Sequence, residues 1–150
     1  MSLLGQILSP RRILFDVAAQ SKQALFTLVA DRLADDLDLP AAAIANSLIE
    51  RESLGSTGLG HAIAIPHGRI RGLSQASAAV ARLAAPISFG APDGAPVELV
   101  VILLVPQKAT DLHLQILSEL AQLLSDRKLR DRVLASRDAD EIHRLLSGNA

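Results

Sequence analysis

The chain has no cysteine, tryptophan or tyrosine, and only three phenylalanines and one methionine among its 150 residues. Without cysteine there can be no disulfide, no thiolate metal ligand and no cysteine nucleophile. Aromatic residues make up 2% of the chain, and 15 Lys and Arg stand against 16 Asp and Glu, a net charge of −1. The basic patch and stacking rings that mark a nucleic-acid surface are therefore missing. The hydrophobic fraction is high at 49%, yet no apolar run approaches the roughly 18 residues of a membrane span. The longest run, residues 97–106, is interrupted by Glu98 and has the length of a buried strand. The first ten residues lack a basic flank followed by a long apolar block, so no signal peptide is expected. These absences lead to the expectation of a soluble, cytoplasmic protein. At 150 residues there is room for one domain with a substantial core.

What is present is an alternation of strand and helix patterns. Residues 12–17, around Ile13-Leu14-Phe15, read as a first strand. Ser21 is placed to cap a helix whose Leu25, Phe26, Val29, Leu33 and Leu37 keep a period near 3.6. Pro40 stops that helix and opens another, with Ile44, Leu48 and Ile49 on one face. A Gly/Ser-rich loop is expected over residues 53–60, followed by a short strand over residues 62–65. Residues 76–83 and 87–89 predict two strands separated by Pro86, and Pro92-Asp93-Gly94 predicts a turn. Residues 97–105, almost all β-branched or leucine, predict a central strand buried on both faces. Thr110 is expected to cap a helix with Leu114, Leu117, Leu120 and Leu124 inward, and Asp126 and Asp138 to start two shorter ones. With no repeat, low-complexity tract or linker in view, residues 1–150 read as a single α/β domain.

The most informative residue is His67. The strand over residues 62–65 runs into Pro66, which has no N–H for a sheet, and Gly68 follows. This reads as an imidazole presented in a loop at a strand end, with glycine free to turn away or to let a ligand come close. From these residues alone, His67 is either a functional group or a capped loop residue. His61 lies six residues earlier, and in a continuous strand both rings would share a face, so a two- or three-histidine metal site is conceivable. No carboxylate accompanies them, and Pro66 breaks the alternation. His113 falls in the first turn of a helix, where free N–H groups attract anions; from these residues alone it reads first as a surface or internally satisfied histidine. His143, beside Glu141 and Arg144, reads as a solvated surface residue.

The chemistry around His67 favours phosphate. Residues 51–58, Arg-Glu-Ser-Leu-Gly-Ser-Thr-Gly, offer a guanidinium, short hydroxyls and accessible backbone N–H groups. A neutral imidazole offers a nucleophilic nitrogen near neutral pH. No Gly-Lys-Ser/Thr occurs, so the loop is not a nucleotide-binding P-loop. A phosphoryl acceptor that does not itself bind ATP fits these groups.

At this point the residues carry a resemblance. Leu59-Gly60 and Ile63-Ala64-Ile65-Pro66-His67-Gly68 resemble the active-site signature of the mannitol/fructose-type enzyme IIA domains of the bacterial phosphotransferase system. Leu8-Ser9-Pro10, Ser21-Lys22, Ile49-Glu50-Arg51-Glu52, Gly55-Ser56-Thr57-Gly58, Pro86-Ile87, Pro96-Val97 and Leu103-Leu104-Val105-Pro106 extend it along nearly the whole chain. His113-Leu114 with Leu117-Ser118 falls where that family keeps a second active-site histidine. The pattern is most similar to the nitrogen-regulatory branch, a stand-alone enzyme IIA. His61 and Ala62 depart from it, standing where Asn or Glu and then Gly are expected.

The resemblance implies an α/β fold: a mixed, mostly parallel sheet with an antiparallel edge and helices on both faces. It implies that a histidine phosphocarrier similar to HPr phosphorylates His67 at Nε2. His113 would donate to the phosphoryl oxygens, and Arg51, Ser56 and Thr57 would neutralise or orient the group. No cofactor and no metal is implied. The implied role is phosphocarrier and regulator, a phosphotransferase component signalling nitrogen, carbon or potassium status to targets such as potassium transporters or sensor kinases. The alternative is a sugar-specific IIA that hands phosphate to a IIB component. The absence of cysteine argues against a fused fructose-type IIB, which uses a cysteine acceptor.

Overall fold

The computed structural model describes residues 3–108 and 110–148, with no side chain for Thr110. The elements run α1 (Leu3–Ile7), β1 (Leu8–Val17), α2 (Lys22–Leu37), α3 (Ala41–Ser53), β2 (Gly58–Gly60), β3 (Ile63–Ala64) and β4 (His67–Ile70). They continue with β5 (Ser77–Ile87), β6 (Val97–Pro106), α4 (Thr110–Leu124), α5 (Arg127–Ala135) and α6 (Ala139–Leu146). The sheet is ordered β1-β5-β6-β3-β2, with β4 also paired to β6. β1 with β5, and both β3 and β4 with β6, are parallel. β2 with β3 at the edge, and β5 with β6 at the centre, are antiparallel. This is the mixed α/β sheet expected.

β6 is the axis because it is apolar on both sides. Every residue from 99 to 105 is buried, and the side chains divide by parity. Val100, Ile102 and Leu104 pack with Leu25, Phe26, Val29, Ile44 and Leu48 of α2 and α3. Leu99, Val101, Leu103 and Val105 pack with Ile116, Leu120, Leu124, Val133 and Ile142 of α4, α5 and α6. Helices therefore cover both faces.

Local signals behave as their chemistry requires. Ser21 caps α2, its hydroxyl accepting from the Ala24 N–H at 3.1 Å. Pro40 is the N-cap of α3. Asp126 and Asp138 cap α5 and α6 with their carboxylates. The cap expected from Thr110 falls on a side chain outside the described residues.

Several expectations need correction. The first strand starts at Leu8, not Arg12, and tolerates Pro10 because β1 is an edge strand. The two strands expected around Pro86 are one, β5; Pro86 lies where its register with β6 shifts, between Arg82 and Ile87, so its missing N–H removes no ladder bond there. In α4, Leu114 points outward and is 65% exposed, while His113, Ile116, Leu120 and Leu124 face inward. The loop expected over residues 53–60 is shorter, because Gly58–Gly60 pairs with β3.

His61 and Ala62 are the two turn residues of that hairpin, with φ of 56° and 68°. Positive φ at both positions is the type I′ pattern, which favours Asn-Gly. Here the left-handed conformation costs on the order of 1–2 kcal/mol per residue. The Asp93 carboxylate supports the turn by accepting the His61 N–H at 2.9 Å and the Ala95 N–H at 3.0 Å.

Candidate functional site

β3 and β4 follow one another along β6, interrupted only at Ile65-Pro66. Pro66 gives no N–H, but its carbonyl still accepts the Leu103 N–H at 2.9 Å. His67 is thus the first residue of a strand, paired opposite Leu103, and not a loop residue beyond a strand end. The interruption lets its ring fold back on its own chain, where Nδ1 lies 2.9 Å from the Ile65 carbonyl oxygen. A carbonyl only accepts, so Nδ1 carries the proton. Nε2 accepts from Arg51 Nε at 3.1 Å, and a guanidinium only donates. Both partners demand one tautomer: neutral, protonated on Nδ1, with a lone pair on Nε2.

Arg51 comes from the last turn of α3, and its Nη1 donates to the Gly55 carbonyl at 2.9 Å. The helix approaches β4 closely enough to require Gly68. A Cβ there would sit 2.2 Å from Ser47 Oγ and 3.1 Å from Ser47 Cβ. The glycine thus admits a helix, where the sequence suggested a ligand. Ser47 Oγ also donates to the Arg69 carbonyl at 3.1 Å.

His113 reaches the site from the opposite face of the sheet. Its ring centroid is 4.8 Å from that of His67, with the planes at 72°. The side chain is buried, and among the described residues neither ring nitrogen has a hydrogen-bond partner. Burial lowers its pKa to about 4, helped by His67, Arg69 and Arg51. Burial also lowers the pKa of His67; Arg51 and Arg69 push the same way, against the Ile65 carbonyl and Glu52. At neutral pH the site therefore holds two uncharged imidazoles between two cationic side chains.

The two hydroxyls expected near a phosphoryl group are engaged elsewhere. Thr57 is buried, its hydroxyl donating to Glu52 Oε1 at 2.5 Å. Ser56 Oγ donates to the Phe89 carbonyl at 2.5 Å and accepts the Gly58 N–H at 3.0 Å. These contacts give both residues a part in shaping the loop. His61 sits in the hairpin turn, so the shared strand face that a His61–His67 metal site needs does not exist. Among the described residues no group of three or more His, Cys, Asp and Glu gathers as for a metal. His143 is half-buried and not solvated: its Nε2 lies 2.9 Å from the Leu8 carbonyl and joins α6 to β1.

The residues 6–149 match the family model described as phosphoenolpyruvate-dependent sugar phosphotransferase system, EIIA 2. The chain belongs to the EIIA 2 family. It is 41% identical over 147 residues to a nitrogen regulatory protein of Pseudomonas aeruginosa, covering 97% of this chain and 96% of that one. The crystal structure of the nitrogen regulatory protein IIA-Ntr from Neisseria meningitidis superimposes with a TM-score of 0.90 at 43% identity, covering 97% and 99% of the two chains. The IIA mannitol protein of Escherichia coli shares the fold, with a TM-score of 0.76 at 20% identity over 92% and 97% of the two chains. These likenesses support a phosphocarrier or regulatory role for this EIIA 2 chain. Among the described residues no helix is long and apolar enough to cross a membrane.

Two residues around His67 received no role from the sequence: Arg69, which was not singled out, and Glu52, which was quoted only as part of the family match. Arg69, on β4, adds positive charge beside both histidines. Glu52 is buried, and the signal for it was available: Ile44, Leu48 and Glu52 are spaced by four, which puts a carboxylate on the apolar face of α3.

Proposed function

We propose that this protein is a phosphoryl carrier whose acceptor atom is Nε2 of His67, and that its phosphorylation state controls binding to regulatory partners. The observation that carries this reading is the doubly fixed tautomer. The Ile65 carbonyl and Arg51 together keep the Nε2 lone pair available at neutral pH, without a deprotonation step.

In the proposed transfer, a phosphohistidine carrier similar to HPr brings its phosphorus in line with Nε2. The Nε2–P bond forms as the donor's N–P bond breaks, and the electron pair leaves with the donor ring. The proton on Nδ1 stays, held by the Ile65 carbonyl. Arg51 turns from Nε2 toward the phosphoryl oxygens, and the unpartnered His113 donates an N–H to them. With a loose transition state, such positioning and charge supply most of the acceleration. No metal or cofactor takes part. The exposed apolar side chains Leu54 and Leu114 stand next to the elements that bear Arg51 and His113, and are suited to protein docking. Adding nearly two negative charges at His67 alters the charge near those elements without refolding the chain. The similarity to nitrogen regulatory proteins favours regulatory targets, potassium transporters or sensor kinases among them, over a IIB component. The proposed setting is the cytoplasm, where such a donor acts.

The test is incubation with enzyme I, the HPr-like protein and phosphoenolpyruvate. One acid-labile, base-stable phosphate is expected on the wild type and none on His67→Ala; an equally phosphorylated His67→Ala overturns the acceptor assignment. His113→Ala should still accept phosphate, about 10²-fold more slowly. For the regulatory half, His67→Ala and His67→Asp are used as baits with candidate targets. Identical binding by the two would favour the sugar carrier.

A further inference from the structure

We propose that Glu52 is a positioning residue for His67, holding both hydrogen-bond partners of the imidazole through the segment that joins α3 to β2. This rests on the reading of His67 Nε2 as the acceptor. Glu52 and Arg51 are neighbours on α3 and diverge, one to the interior and the other to the ring. The Glu52 side chain is only 6% exposed. A carboxylate buried that far is tolerated only with partners, and it has three contacts. Oε1 accepts from the Thr57 hydroxyl at 2.5 Å, while Oε2 accepts the Thr57 N–H and Lys22 Nζ, each at 3.0 Å. Lys22 also donates to the Phe89 carbonyl at 3.2 Å, the same oxygen that receives Ser56 Oγ.

These contacts fasten the far end of residues 53–57, while Leu54 and Gly55 N–H fasten the near end to the carbonyls of Arg51 and Glu52. Two carbonyls within that span lead to the ring. Gly55 O receives Arg51 Nη1, and Arg51 Nε reaches His67 Nε2. Thr57 O receives the Ile65 N–H at 3.0 Å, and the Ile65 carbonyl faces His67 Nδ1. Each nitrogen of the imidazole is thereby linked to the same buried carboxylate, which touches neither. Lys22 brings α2 into the arrangement, so no single element carries it.

Glu52→Gln tests this with little change of volume, because it removes the ion pair with Lys22 and one of the two accepting oxygens. The first readout needs no phosphoryl donor. In the wild type, ¹⁵N NMR should show a slowly exchanging Arg51 Nε–H and the His67 shifts of a ring protonated at Nδ1. In Glu52→Gln the Arg51 signal should vanish and the His67 shifts should move toward a tautomer average, with the melting curve still cooperative. Thr57→Val should do the same, with Thr57→Ser rescuing it; this pair decides the matter if Glu52→Gln does not fold.

The second readout is phosphorylation by phosphoramidate, in which the Nε2–P bond forms, the P–N bond breaks and the nitrogen leaves as ammonia after taking a proton from water. A slowing of about tenfold is expected for Glu52→Gln and about 10²-fold for Arg51→Ala. The double variant should fall well short of the roughly 10³-fold product, because contacts in series are not additive. An unchanged Arg51 signal in both Glu52→Gln and Thr57→Val, or a fully multiplicative double variant, overturns the proposal. Phosphorylation of His67→Ala would overturn the acceptor assignment instead, leaving the NMR link between Glu52 and the ring as a separate result.

Discussion

Arg51 and His113 approach the same imidazole from opposite faces of the sheet, and they are held in opposite ways. Arg51 belongs to the helix layer of α2 and α3, and its guanidinium bonds both His67 Nε2 and the Gly55 carbonyl. His113 belongs to the layer of α4, α5 and α6, and its two nitrogens bond nothing among the described residues. A buried polar group left unpaired costs about 1–3 kcal/mol, so the α4 arm carries an unmet demand that the α3 arm does not. One arm fixes the orientation and tautomer of the His67 ring. The other holds an N–H for which the described residues supply no acceptor.

The largest expected effect separates the two arms by pH. The pKa of His113 is lowered from 6.5 to about 4, so the unfolded chain binds the proton more readily than the folded one across that window. Stability should therefore fall as pH drops from about 6.5 toward 4, by on the order of 3 kcal/mol in all. His67 is shifted the same way and adds to the slope. Urea unfolding at several pH values should show the decline in the wild type and a flatter curve for His113→Gln. An equal slope in that variant would place the proton uptake elsewhere.

A smaller effect strikes the α3 arm. Gly68→Ala puts a Cβ against Ser47, 3.3 Å even from its carbonyl carbon, so rotating the hydroxyl does not relieve the contact. The strand and helix must separate, at about 1–3 kcal/mol, and Arg51 moves off Nε2 with them. Calorimetry should report the lower melting temperature, and the Arg51 Nε–H signal should weaken while the His113 ring shifts hold. If both arms respond alike, they are not independent.

The smallest expected effect touches neither arm. Ala62→Gly relieves the left-handed strain of the hairpin turn and should stabilise the protein by roughly 0.5–1 kcal/mol after the entropy of the added glycine is counted. Phosphoryl transfer should not change. A slower transfer in Ala62→Gly would show that the turn's strain is coupled to the site.

The legible parts of this molecule were those decided within a few residues. Ser21, Pro40, Asp126 and Asp138 act on the backbone beside them, and the apolar run of β6 dictates a position at the sheet centre wherever its neighbours lie. His67 was found because proline and glycine bracket it. What escaped depends on contacts that the local pattern does not display, several of them with partners distant in the chain. Pro86 looked like a strand break, but the register shift against β6 accommodates it. Leu114 looked like core by its spacing, but the inward position of that turn belongs to His113. Ser56 and Thr57 looked free for phosphate until Phe89 and Glu52 were placed beside them. His143 looked solvated because Leu8 is 135 positions away.

The oxygen that holds His67 Nδ1 belongs to the main chain. Replacing Ile65 changes a side chain and leaves that carbonyl in place, and the fixed φ of Pro66 limits how far the peptide before His67 can turn. The contact that protonates the ring at Nδ1 is thus insulated from side-chain replacement at Ile65 itself, while the contact at Nε2 depends on the Arg51 side chain. A side chain in that place could be lost by one substitution, whereas the main-chain oxygen at Ile65 is present whatever residue stands there.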